Sequence, residues 1–466
     1  MFTELSLKNY MSFRELNLKL EKGSKPKKMI AIYGENGAGK SNIVSAFSRL
    51  TASLVTYSNQ QIITDSQAKL ATGSQISESG ESDQQINQLL KSIFQATGSG
   101  VNILQVFKDA YAVDTSEPMI IKYNFVFQGA KGYYELVFKK TIDGQVFLAE
   151  EELNYLINKT SGVLFTIKKD EIGHRINTKF SPALMMKNSH GITHAKVLVE
   201  DLLNKFWGKH TFLALFEKIE DETNRDFVME NFSPNFLKIL EQFRDVAVKS
   251  DQASGIVHQT KLLKNLTSGV LKNNQKNQHR ISLTAQVLNE YFVPLYSDIL
   301  KMKYELDIDQ DDLINYQLVE LKKIAGKESQ ISFARESHGT KQLLELFPLF
   351  LNAVNGYVVV IDELDAGIHD LLVERLVESL KNDITGQLIF TTHDTQLMGQ
   401  IEPQSLYIIQ VDSYGNKRVV NLSKSDISAN NNIEKMYLNG FFAGIPYAED
   451  VDFGEILASL EEDSRE

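Results

Sequence analysis

The order of apolar and polar residues predicts that the chain starts with strands and a helix. Residues 5–10 and 16–20 alternate apolar and polar side chains, which is typical of half-buried β-strands. The apolar run at residues 29–33 predicts a further strand. In residues 41–50 the apolar side chains recur with helical spacing, on a face formed by Ile43, Ala46, Phe47 and Leu50. The first fifty residues therefore predict two strands followed by a strand–loop–helix unit.

A further group of strands is predicted after a polar segment. Residues 58–100 are rich in Ser, Gln, Gly and Asp, which predicts a flexible insertion with one short amphipathic helix near residues 86–94. Residues 120–127 and 133–138 alternate around a turn and predict a hairpin. A third strand at residues 145–153 extends this hairpin into an antiparallel meander.

Helical spacing takes over in the middle of the chain. It is clearest at residues 197–206, 235–246, 285–296 and 311–324. No heptad pattern is sustained long enough for an extended coiled coil. We therefore expect residues 183–325 to form a compact helical lid.

Strand character returns near the end of the chain. Apolar runs at residues 356–361 and 387–391 predict buried parallel strands, and residues 406–411 and 417–421 predict a hairpin. The whole pattern predicts an α/β fold with an antiparallel β subdomain and a helical insertion. The expected regions are an N-terminal lobe, the helical insertion and a C-terminal lobe, at residues 1–182, 183–325 and 326–466.

Composition and charge narrow the class of protein. Hydrophobic residues make up 42% and charged residues 23% of the chain, as in soluble globular proteins. There is no cysteine, which excludes disulfides and cysteine-based metal sites and suits the cytoplasm. No apolar run approaches the ~20 residues of a membrane span, so we expect no membrane partner. The formal charge of −11 disfavours a broad nucleic-acid surface, although local lysine groups at residues 25–28 and 261–280 leave nucleic-acid contact open.

The loop between the third strand and the first helix carries the first candidate chemistry. Residues 34–41 fit G-x-x-x-x-G-K-[ST], the pattern of a phosphate-binding loop. Backbone N–H groups and the positive end of the helix dipole would surround an anion there. Lys40 would reach the β- and γ-phosphates, and Ser41 would bind Mg²⁺. The predicted nucleotide-binding residues are Gly34, Glu35, Asn36, Gly37, Ala38, Gly39, Lys40, Ser41 and Asn42.

Two later strands end in residues that suit the same chemistry. Asp362 and Glu363 follow an apolar run, so both carboxylates should lie at the carboxyl end of a buried strand. We expect Asp362 to bind Mg²⁺ and Glu363 to orient or deprotonate the attacking water. His393 follows the strand at residues 387–391 and could reach the γ-phosphate. Taken alone, each motif also fits an ordinary loop carboxylate or a structural histidine.

Taken together and in this order, these motifs resemble the head of an ABC-type ATPase of the SMC and RecF kind. The resemblance covers roughly residues 1–55, 115–155 and 330–412. It implies a P-loop ABC-ATPase head that hydrolyses ATP with Mg²⁺ as cofactor. The matching elements are Asn-Tyr-Met-Ser-Phe at residues 9–13, the Walker A loop at 34–42, the Walker B pair Asp362 and Glu363, the D-loop Asp365 and the switch His393.

The resemblance also implies a signature motif that meets the γ-phosphate from a second copy of the chain. The candidate lies at residues 336–343, shortly before Asp362, with Ser337 and Gly339 in the matching positions. A serine hydroxyl, a glycine N–H and a helix N-terminus would form a second anion site, whereas an ordinary serine N-cap is the alternative. The implied assembly is a homodimer, or a higher homo-oligomer, with ATP held between two heads.

Departures from the general pattern point to a subgroup. The signature lacks the Leu-Ser-Gly-Gly-Gln form, Leu364 replaces the usual Pro after Glu363, and the Q-loop glutamine is not placed. The first two departures resemble the stand-alone ATPases of bacterial antiphage defence, of the AbiL and RloA, Septu and PARIS kind, and residues 437–446 are similar to their tail pattern. This resemblance implies a sensor or regulator in abortive infection. We expect a separate effector protein, a nuclease or toxin, because the segment after His393 is too short for a further nuclease domain.

Two other functions stay open at this point. A RecF-type DNA-repair clamp would bind duplex DNA when ATP is present, with an affinity that falls steeply with salt. A non-enzymatic scaffold would use ATP only to join subunits, and its hydrolysis would be slow or absent.

Overall fold

The fold is known from a computed structural model. It describes residues 1–73, 101–157, 159–170, 175–185, 192–250, 261–424, 432–445 and 450–463. The helix predicted near residues 86–94 lies outside the described residues, and so does the end of the tail pattern at residue 446. Within the described segments, no helix is both long enough and apolar enough to cross a membrane.

The described residues form helices and strands of ordinary length. The helices are α1 (Lys40–Leu54), α2 (Thr56–Gly73), α3 (Ile103–Val106), α4 (Ile192–Phe206), α5 (Phe212–Glu222), α6 (Arg225–Asn231), α7 (Pro234–Arg244), α8 (Gln275–Phe292), α9 (His338–Val354), α10 (Asp370–Asp383), α11 (Ile433–Leu438) and α12 (Phe453–Asp463). The strands are β1 (Phe2–Tyr10), β2 (Phe13–Lys19), β3 (Glu21–Lys22), β4 (Lys25–Pro26), β5 (Met29–Gly34), β6 (Met119–Phe127), β7 (Ala130–Lys140), β8 (Val146–Ile157), β9 (Thr160–Lys169), β10 (Ile176–Phe180), β11 (Ala247–Lys249), β12 (Ser268–Lys272), β13 (Ile299–Ile308), β14 (Leu313–Ile324), β15 (Lys327–Ser332), β16 (Val358–Ile361), β17 (Gln387–Thr391), β18 (Leu406–Val411) and β19 (Lys417–Asn421).

Seven strands form an antiparallel sheet in the order β10-β9-β8-β7-β6-β1-β2. Leu5 of β1 lies opposite Leu18 of β2 on one side and Tyr123 of β6 on the other. All three side chains are buried, because alternate residues of each strand face the same side of the sheet. The predicted strand pair, hairpin and meander are therefore confirmed.

The second sheet has six strands in the order β11-β16-β17-β5-β18-β19. Its strands run parallel except for the terminal pair β18 and β19. Parallel strands that are covered on both faces read as continuous apolar runs, which is why β5, β16 and β17 could be found in the sequence. The predicted α/β class and the terminal hairpin are confirmed.

The parallel sheet is the middle layer of the core. Ile30 and Ile32 of β5 face the cluster that contains α1 and the antiparallel sheet. Ala31 and Tyr33 of the same strand face the opposite cluster, with the apolar side chains of α9 and α10. The helix α1 therefore lies between two sheets, and the loop that precedes it is fixed by packing on both sides.

The prediction of a flexible segment at residues 58–100 is wrong for its first part. The helix α2 continues to Gly73, so residues 58–73 are helical. Tyr57 in its first turn is buried, and its ring lies 5.5 Å from the ring of His210. Side-chain packing near Tyr57 decides this helix, since its composition alone favours a loop. Residues 74–100 lie outside the described residues.

The predicted helical lid is not purely helical. The helices predicted at residues 197–206 and 235–246 are present as α4 and α7, and α5 packs beside them. Phe212 of α5 contacts Phe165 of β9, with ring centroids 4.9 Å apart, so these helices cover the antiparallel sheet. The strand β11, in the same segment, joins the parallel sheet beside β16. Much of the segment therefore belongs to the main core.

The helix predicted at residues 311–324 is wrong. These residues form β14, in a small antiparallel sheet ordered β12-β14-β13 with β15 also paired to β14. Ile314, Tyr316 and Leu318 alternate on its buried face, which is the period of a strand. The helix predicted at residues 285–296 is largely confirmed by α8. The insertion is thus mixed in structure, and the three region boundaries stay predictions.

One buried carboxyl group joins the antiparallel sheet to its helical cover. Glu151 of β8 has no exposed surface. Its carboxyl oxygens accept hydrogen bonds from the Tyr134 hydroxyl at 2.9 Å, the Trp207 indole N–H at 2.7 Å and the Phe212 backbone N–H at 2.7 Å. Burial raises the pKa of Glu151 to about 7, although these donors act in the opposite direction.

We expect Glu151→Ala to lower the free energy of unfolding by about 3 kcal/mol at pH 5, because it leaves buried donors without an acceptor and opens a cavity. The folded protein binds the Glu151 proton more tightly than the unfolded chain, whose glutamate titrates near 4.5. The contribution of Glu151 to stability therefore declines as the pH rises from about 4.5 to about 7. Urea unfolding of both proteins at pH 5 and pH 8 measures the loss and its decline.

Glu150→Ala is the matched control. Glu150 is the adjacent residue on the other face of β8 and forms an ion pair with Lys168 at 2.6 Å, with half of the lysine side chain exposed. Its removal should cost less than about 1 kcal/mol at either pH. Equal losses for the two variants would show that the buried hydrogen bonds of Glu151 add nothing.

Candidate functional site

The predicted phosphate-binding loop runs from β5 into α1. Gly34 ends β5, and the exposed Asn36 and Gly37 form the tip of the loop. Gly39 has a φ of +109°, and a Cβ at this position would lie 2.9 Å from the Phe13 ring and 3.1 Å from the Ser12 hydroxyl oxygen. Glycine is therefore required here both by backbone conformation and by space. The segment at residues 9–13 packs directly on the loop.

Lys40 lies inside the loop, with 6% of its surface exposed. Its ammonium group donates to the carbonyl oxygens of Gly34 at 3.0 Å and Glu35 at 3.2 Å. Burial lowers the pKa of Lys40, and the negative charges of nearby carboxylates, led by Asp362 and Glu363, oppose this shift. The ammonium group therefore points into the loop and interacts with the negative charges of Asp362 and Glu363.

The predicted Walker B pair lies at the carboxyl end of β16 and is hydrogen-bonded to the neighbouring strand β17. Thr391 at the end of β17 donates its hydroxyl hydrogen to Asp362 Oδ1 at 2.6 Å. The same hydroxyl oxygen accepts the backbone N–H of Glu363 at 2.8 Å. The backbone N–H of Leu364 donates to the Thr391 carbonyl at 3.0 Å. Thr391 thus holds the Asp362 carboxylate and the backbone of Glu363 in position.

Glu363 has an unusual backbone conformation. Its φ is +49°, in the left-handed region that non-glycine residues rarely adopt. Strain of this kind persists where surrounding contacts hold the residue, and it concentrates at functional sites. Here the contacts come from Thr391, and the Glu363 side chain is exposed at the strand edge.

One cleft of about 580 Å³ brings the two motifs together. Ser41 and Asn42 of the loop line it, and so do Asp362 and Glu363. These residues are more than 300 positions apart in sequence, but β5, β17 and β16 are successive neighbours in the sheet, and their carboxyl ends meet at one edge. The predicted convergence of the loop and the carboxylates is therefore observed.

The residues around this cleft suit Mg²⁺. The Ser41 hydroxyl and the Asp362 carboxylate offer oxygen ligands, which are the ones Mg²⁺ prefers. Among the described residues, no group of three or more His, Cys, Asp or Glu could hold a metal ion by itself. Such a sparse set fits a metal that takes most of its remaining ligands from phosphates and water.

The D-loop and switch residues lie next to the carboxylates. Asp365 accepts the backbone N–H of His393 through Oδ2 at 3.3 Å, while its buried Oδ1 has no hydrogen-bond partner among the described residues. The His393 side chain is exposed after the end of β17. Burial, together with the charge of Asp365 and other carboxylates, raises the pKa of the adjacent Asp394 to about 6. A contact between His393 and a γ-phosphate stays a prediction.

The signature candidates lie apart from this cleft. Ser337 is the N-cap of α9, and its hydroxyl accepts the backbone N–H of Thr340 at 3.2 Å. A Cβ on Gly339 would lie 2.2 Å from the Gly367 carbonyl oxygen. Glycine therefore allows the first turn of α9 to pack closely against the segment that follows Asp365. Neither Ser337 nor Gly339 lines the cleft of Ser41 and Asp362. Their contribution to another copy's site stays a prediction.

Sequence reasoning missed several residues at this edge. The sequence pattern places Thr391 only in a strand, although its hydroxyl binds the Asp362 carboxylate and the backbone N–H of Glu363. Ser250 follows β11 and lines the same cleft, but a strand of three residues gives too short a pattern to detect. Arg49 and Gln105 also line the cleft. The Q-loop glutamine is not placed, and residues 251–260 lie outside the described part.

Two family models match the chain. Residues 192–399 match the family described as "AAA domain, putative AbiEii toxin, Type IV TA system". Residues 1–101 match a family described as "AAA domain". The first match contains Asp362, Glu363 and His393, and the second contains the loop with Lys40, so both halves of the site lie within matched segments. The matches agree with the resemblance drawn from the motifs.

A likeness to one solved structure is weak. The Smc head domain with an extended coiled coil, bound to the C-terminal domain of ScpA and derived from Pyrococcus furiosus, is 14% identical in sequence. The similarity covers 91% of this chain and 97% of that chain, with a TM-score of 0.39. No conclusion about this chain follows from a likeness of this size. No curated protein matches the chain in sequence.

Proposed function

We propose that this chain, a P-loop ATPase of the SMC and RecF-like class, binds ATP with Mg²⁺ and hydrolyses it between two copies of itself. We further propose that it is a cytoplasmic sensor or regulator in bacterial antiphage defence by abortive infection. In this role its nucleotide state controls a separate effector protein, a nuclease or a toxin.

A single observation carries the proposal of ATP hydrolysis. Ser41 and Asn42 of the phosphate-binding loop line the same cleft as Asp362 and Glu363. Phosphoryl transfer needs the triphosphate to be positioned, its charge neutralised and a water oriented for attack. The loop, the metal-binding oxygens and a free carboxylate meet those needs at one sheet edge.

Each residue has a role that follows from its position. Lys40 binds the β- and γ-phosphates, and Ser41 and Asp362 would hold Mg²⁺, which neutralises phosphate charge. Glu363 accepts a proton from the water or orients it. His393 contacts the γ-phosphate, and Asp365 keeps the backbone of His393 in place. Ser337 and Gly339 of a second copy complete the site, which makes hydrolysis depend on dimerisation.

The defence role has weaker support of a different kind. The family that matches residues 192–399 is described as "AAA domain, putative AbiEii toxin, Type IV TA system". The signature departs from the transporter form at Ser337–Gly339, and Leu364 follows Glu363. Both observations favour a regulator linked to a toxin over a transport ATPase.

Lys40→Ala tests nucleotide binding directly. The variant should bind ATP at least about tenfold more weakly, because a buried charge-assisted contact with the phosphates is lost. Titration with a fluorescent ATP analogue measures the dissociation constant in the presence of Mg²⁺. Lys131→Ala, which removes a lysine that is 62% exposed on the antiparallel sheet, should leave this constant unchanged. Full affinity in the Lys40 variant would refute the assigned site.

One observation favours the RecF-type clamp as a second candidate. Five lysines, Lys22, Lys25, Lys27, Lys28 and Lys381, line a cleft of about 340 Å³ at the opposite edge of the parallel sheet. Burial, and then the charge of Lys22, lowers the pKa of Lys27 to about 8, and one acidic residue, Glu402, also lines the cleft. Duplex binding that requires ATP and falls steeply with salt would favour the clamp over a defence regulator.

A further inference from the structure

Three polar side chains from separate parts of the chain meet at the rim of the phosphate-binding loop. Ser12 lies in the turn between β1 and β2, Asn42 in the first turn of α1, and Lys417 at the start of β19. The Ser12 hydroxyl oxygen accepts from the Asn42 amide at 2.6 Å and from the Lys417 ammonium at 3.0 Å. Lys417 also donates to the Gly37 carbonyl at 2.5 Å. The cluster therefore touches the loop backbone directly.

The unused hydrogens of this cluster suit an anion. Ser12 accepts two hydrogen bonds with its two lone pairs, so its own hydrogen is left to donate elsewhere. The Lys417 ammonium carries three hydrogens, of which two are used by Ser12 and Gly37. Over the described part of the chain, no carboxylate forms an ion pair with Lys417. Donors outnumber acceptors at this rim, which is the composition of an anion site.

Strand pairing holds Lys417 in this place. The strand β18 pairs with β5, with Ile409 opposite Gly34, and β19 pairs with β18, with Lys417 opposite Val411. A Cβ on Gly34 would lie 3.2 Å from the Ile409 side chain, so the hairpin and the loop are in close contact. Lys417 therefore approaches the loop from a rigid hairpin.

The position of the cluster identifies the phosphate that it serves. Lys40 and Ser41 are assigned to the β- and γ-phosphates and the metal, and these groups account for the deeper part of the loop. Asn42 is the next residue along α1, its side-chain amide donates to the Ser12 hydroxyl, and Lys417 donates to the same hydroxyl and to the Gly37 carbonyl. The α-phosphate is the remaining charged group of a nucleotide, and it has no side-chain cation among the residues assigned so far.

We propose that Ser12, Asn42 and Lys417 form an α-phosphate subsite, in which Lys417 supplies the positive charge. This proposal rests on the proposed nucleotide binding and adds a residue from the terminal hairpin to it. Burial lowers the pKa of Lys417, and the charge of Glu35 opposes the shift, so the ammonium group is already partly dehydrated before an anion arrives. A phosphate oxygen would replace part of the lost solvation.

The subsite has a consequence that separates it from Lys40. Because ATP and ADP share the α-phosphate, loss of the Lys417 charge should lower the affinities for both nucleotides by the same factor. The ratio of their affinities should stay as in wild type, and the turnover rate at saturating ATP should stay within about twofold. A residue that contacts the γ-phosphate would instead change the affinity for ATP alone.

Lys417→Gln is the test variant. We expect the dissociation constants of ATP and ADP to rise by about tenfold each, as for the loss of one hydrogen bond to a charged group. Lys417→Arg should restore both to within about threefold of wild type, because it keeps the charge. Arg418→Gln is the matched control, because it removes the same charge from the next residue of β19. The Arg418 guanidinium donates to the Gln410 side chain at 2.6 Å. This variant should change neither dissociation constant.

Four results would test the subsite and the proposed function. Unchanged affinities for ATP and ADP in Lys417→Gln would overturn the proposed subsite. The proposed function would still stand in that case, provided that the wild-type protein binds ATP. A loss for ATP without a loss for ADP would overturn the assignment to the α-phosphate. If Lys417→Gln does not fold, Ser12→Ala replaces it as the test variant. Its dissociation constants for ATP and ADP should each rise by about threefold. Wild-type values of both constants in Ser12→Ala would overturn the proposal. Absence of nucleotide binding by wild type would instead refute the proposed function itself.

Discussion

Glu363→Gln should lower the rate of ATP hydrolysis by about 10²- to 10³-fold, in the range expected for loss of a general base. The amide cannot accept the proton of the attacking water, whereas the loop and Asp362 remain able to hold MgATP. ATP affinity should therefore stay within about threefold of wild type, and ATP should trap the closed dimer. Steady-state phosphate release measures the turnover, and light scattering with ATP measures the assembly.

The structure supplies both the reason and a control for this experiment. The Glu363 backbone is held at a φ of +49° by its hydrogen bond to Thr391, so the glutamine should occupy the same place. Glu378→Gln makes the same chemical change on the exposed face of α10 and should leave turnover unaffected. Equal turnover in the Glu363 variant would remove it from the proposed mechanism.

Lys322→Met should lower the free energy of unfolding by about 4 kcal/mol at pH 7, as for the loss of one partner of a buried ion pair. The Lys322 ammonium lies 2.6 Å from Glu336 Oε1 and 3.6 Å from Glu320 Oε1. The exposed side-chain fractions are 11% for Lys322, 12% for Glu336 and 0% for Glu320. Without the lysine, the Glu336 carboxylate, which is only 12% exposed, would lose its ion-pair partner.

The two carboxyl groups differ in charge, which gives the variant a pH signature. Burial and the neighbouring Glu336 raise the pKa of Glu320 to about 8, so Glu320 is mostly neutral at pH 7. Burial acts against ionisation of Glu336, but hydrogen bonds from Glu320 and Lys322 lower its pKa to about 2. Its stabilising effect is therefore complete above about pH 4.5 and is lost as the pH falls towards 2.

Urea unfolding of Lys322→Met and wild type should consequently show a difference that shrinks below about pH 4.5. Lys205→Met is the matched control, because the Lys205 and Asp201 pair at 2.7 Å is largely exposed and should contribute less than about 1 kcal/mol. A loss for Lys322→Met no larger than that of the control would show that the buried network is not needed for stability. Since Glu336 directly precedes Ser337, the same network fixes the base of the signature segment.

Short-range patterns predicted the elements that carry the site. The apolar runs at β5, β16 and β17 could be recognised because strands buried on both faces contain few polar residues. The glycine pattern at residues 34–41 could be recognised because the loop conformation restricts side chains at set positions, as the φ of +109° at Gly39 shows. Sequence reasoning therefore identified Lys40, Ser41, Asp362 and Glu363, and the structure brings the last three to one cleft.

Two of the misread segments share one cause. Residues 311–324 contain apolar side chains that fit a helix as well as a strand, and pairing with β13 and β12 decides for the strand. The strand β11 has only three residues, and its pairing with β16 places it in the parallel sheet. Period alone cannot separate these cases, because it does not show which strand pairs with which.

The sequence by itself determined that this protein has a phosphate-binding loop, a buried strand that ends in two carboxylates, and an α/β fold around them. These properties depend on residue types at fixed local spacing, so they can be read without a structure. Only the tertiary structure decided the strand order, the hydrogen bonds of Thr391 to Asp362 and Glu363, and the hydrogen bond of Lys417 to the loop. The contacts of Thr391 and Lys417 join residues 28 or more positions apart, and packing of the whole core is needed to bring them together.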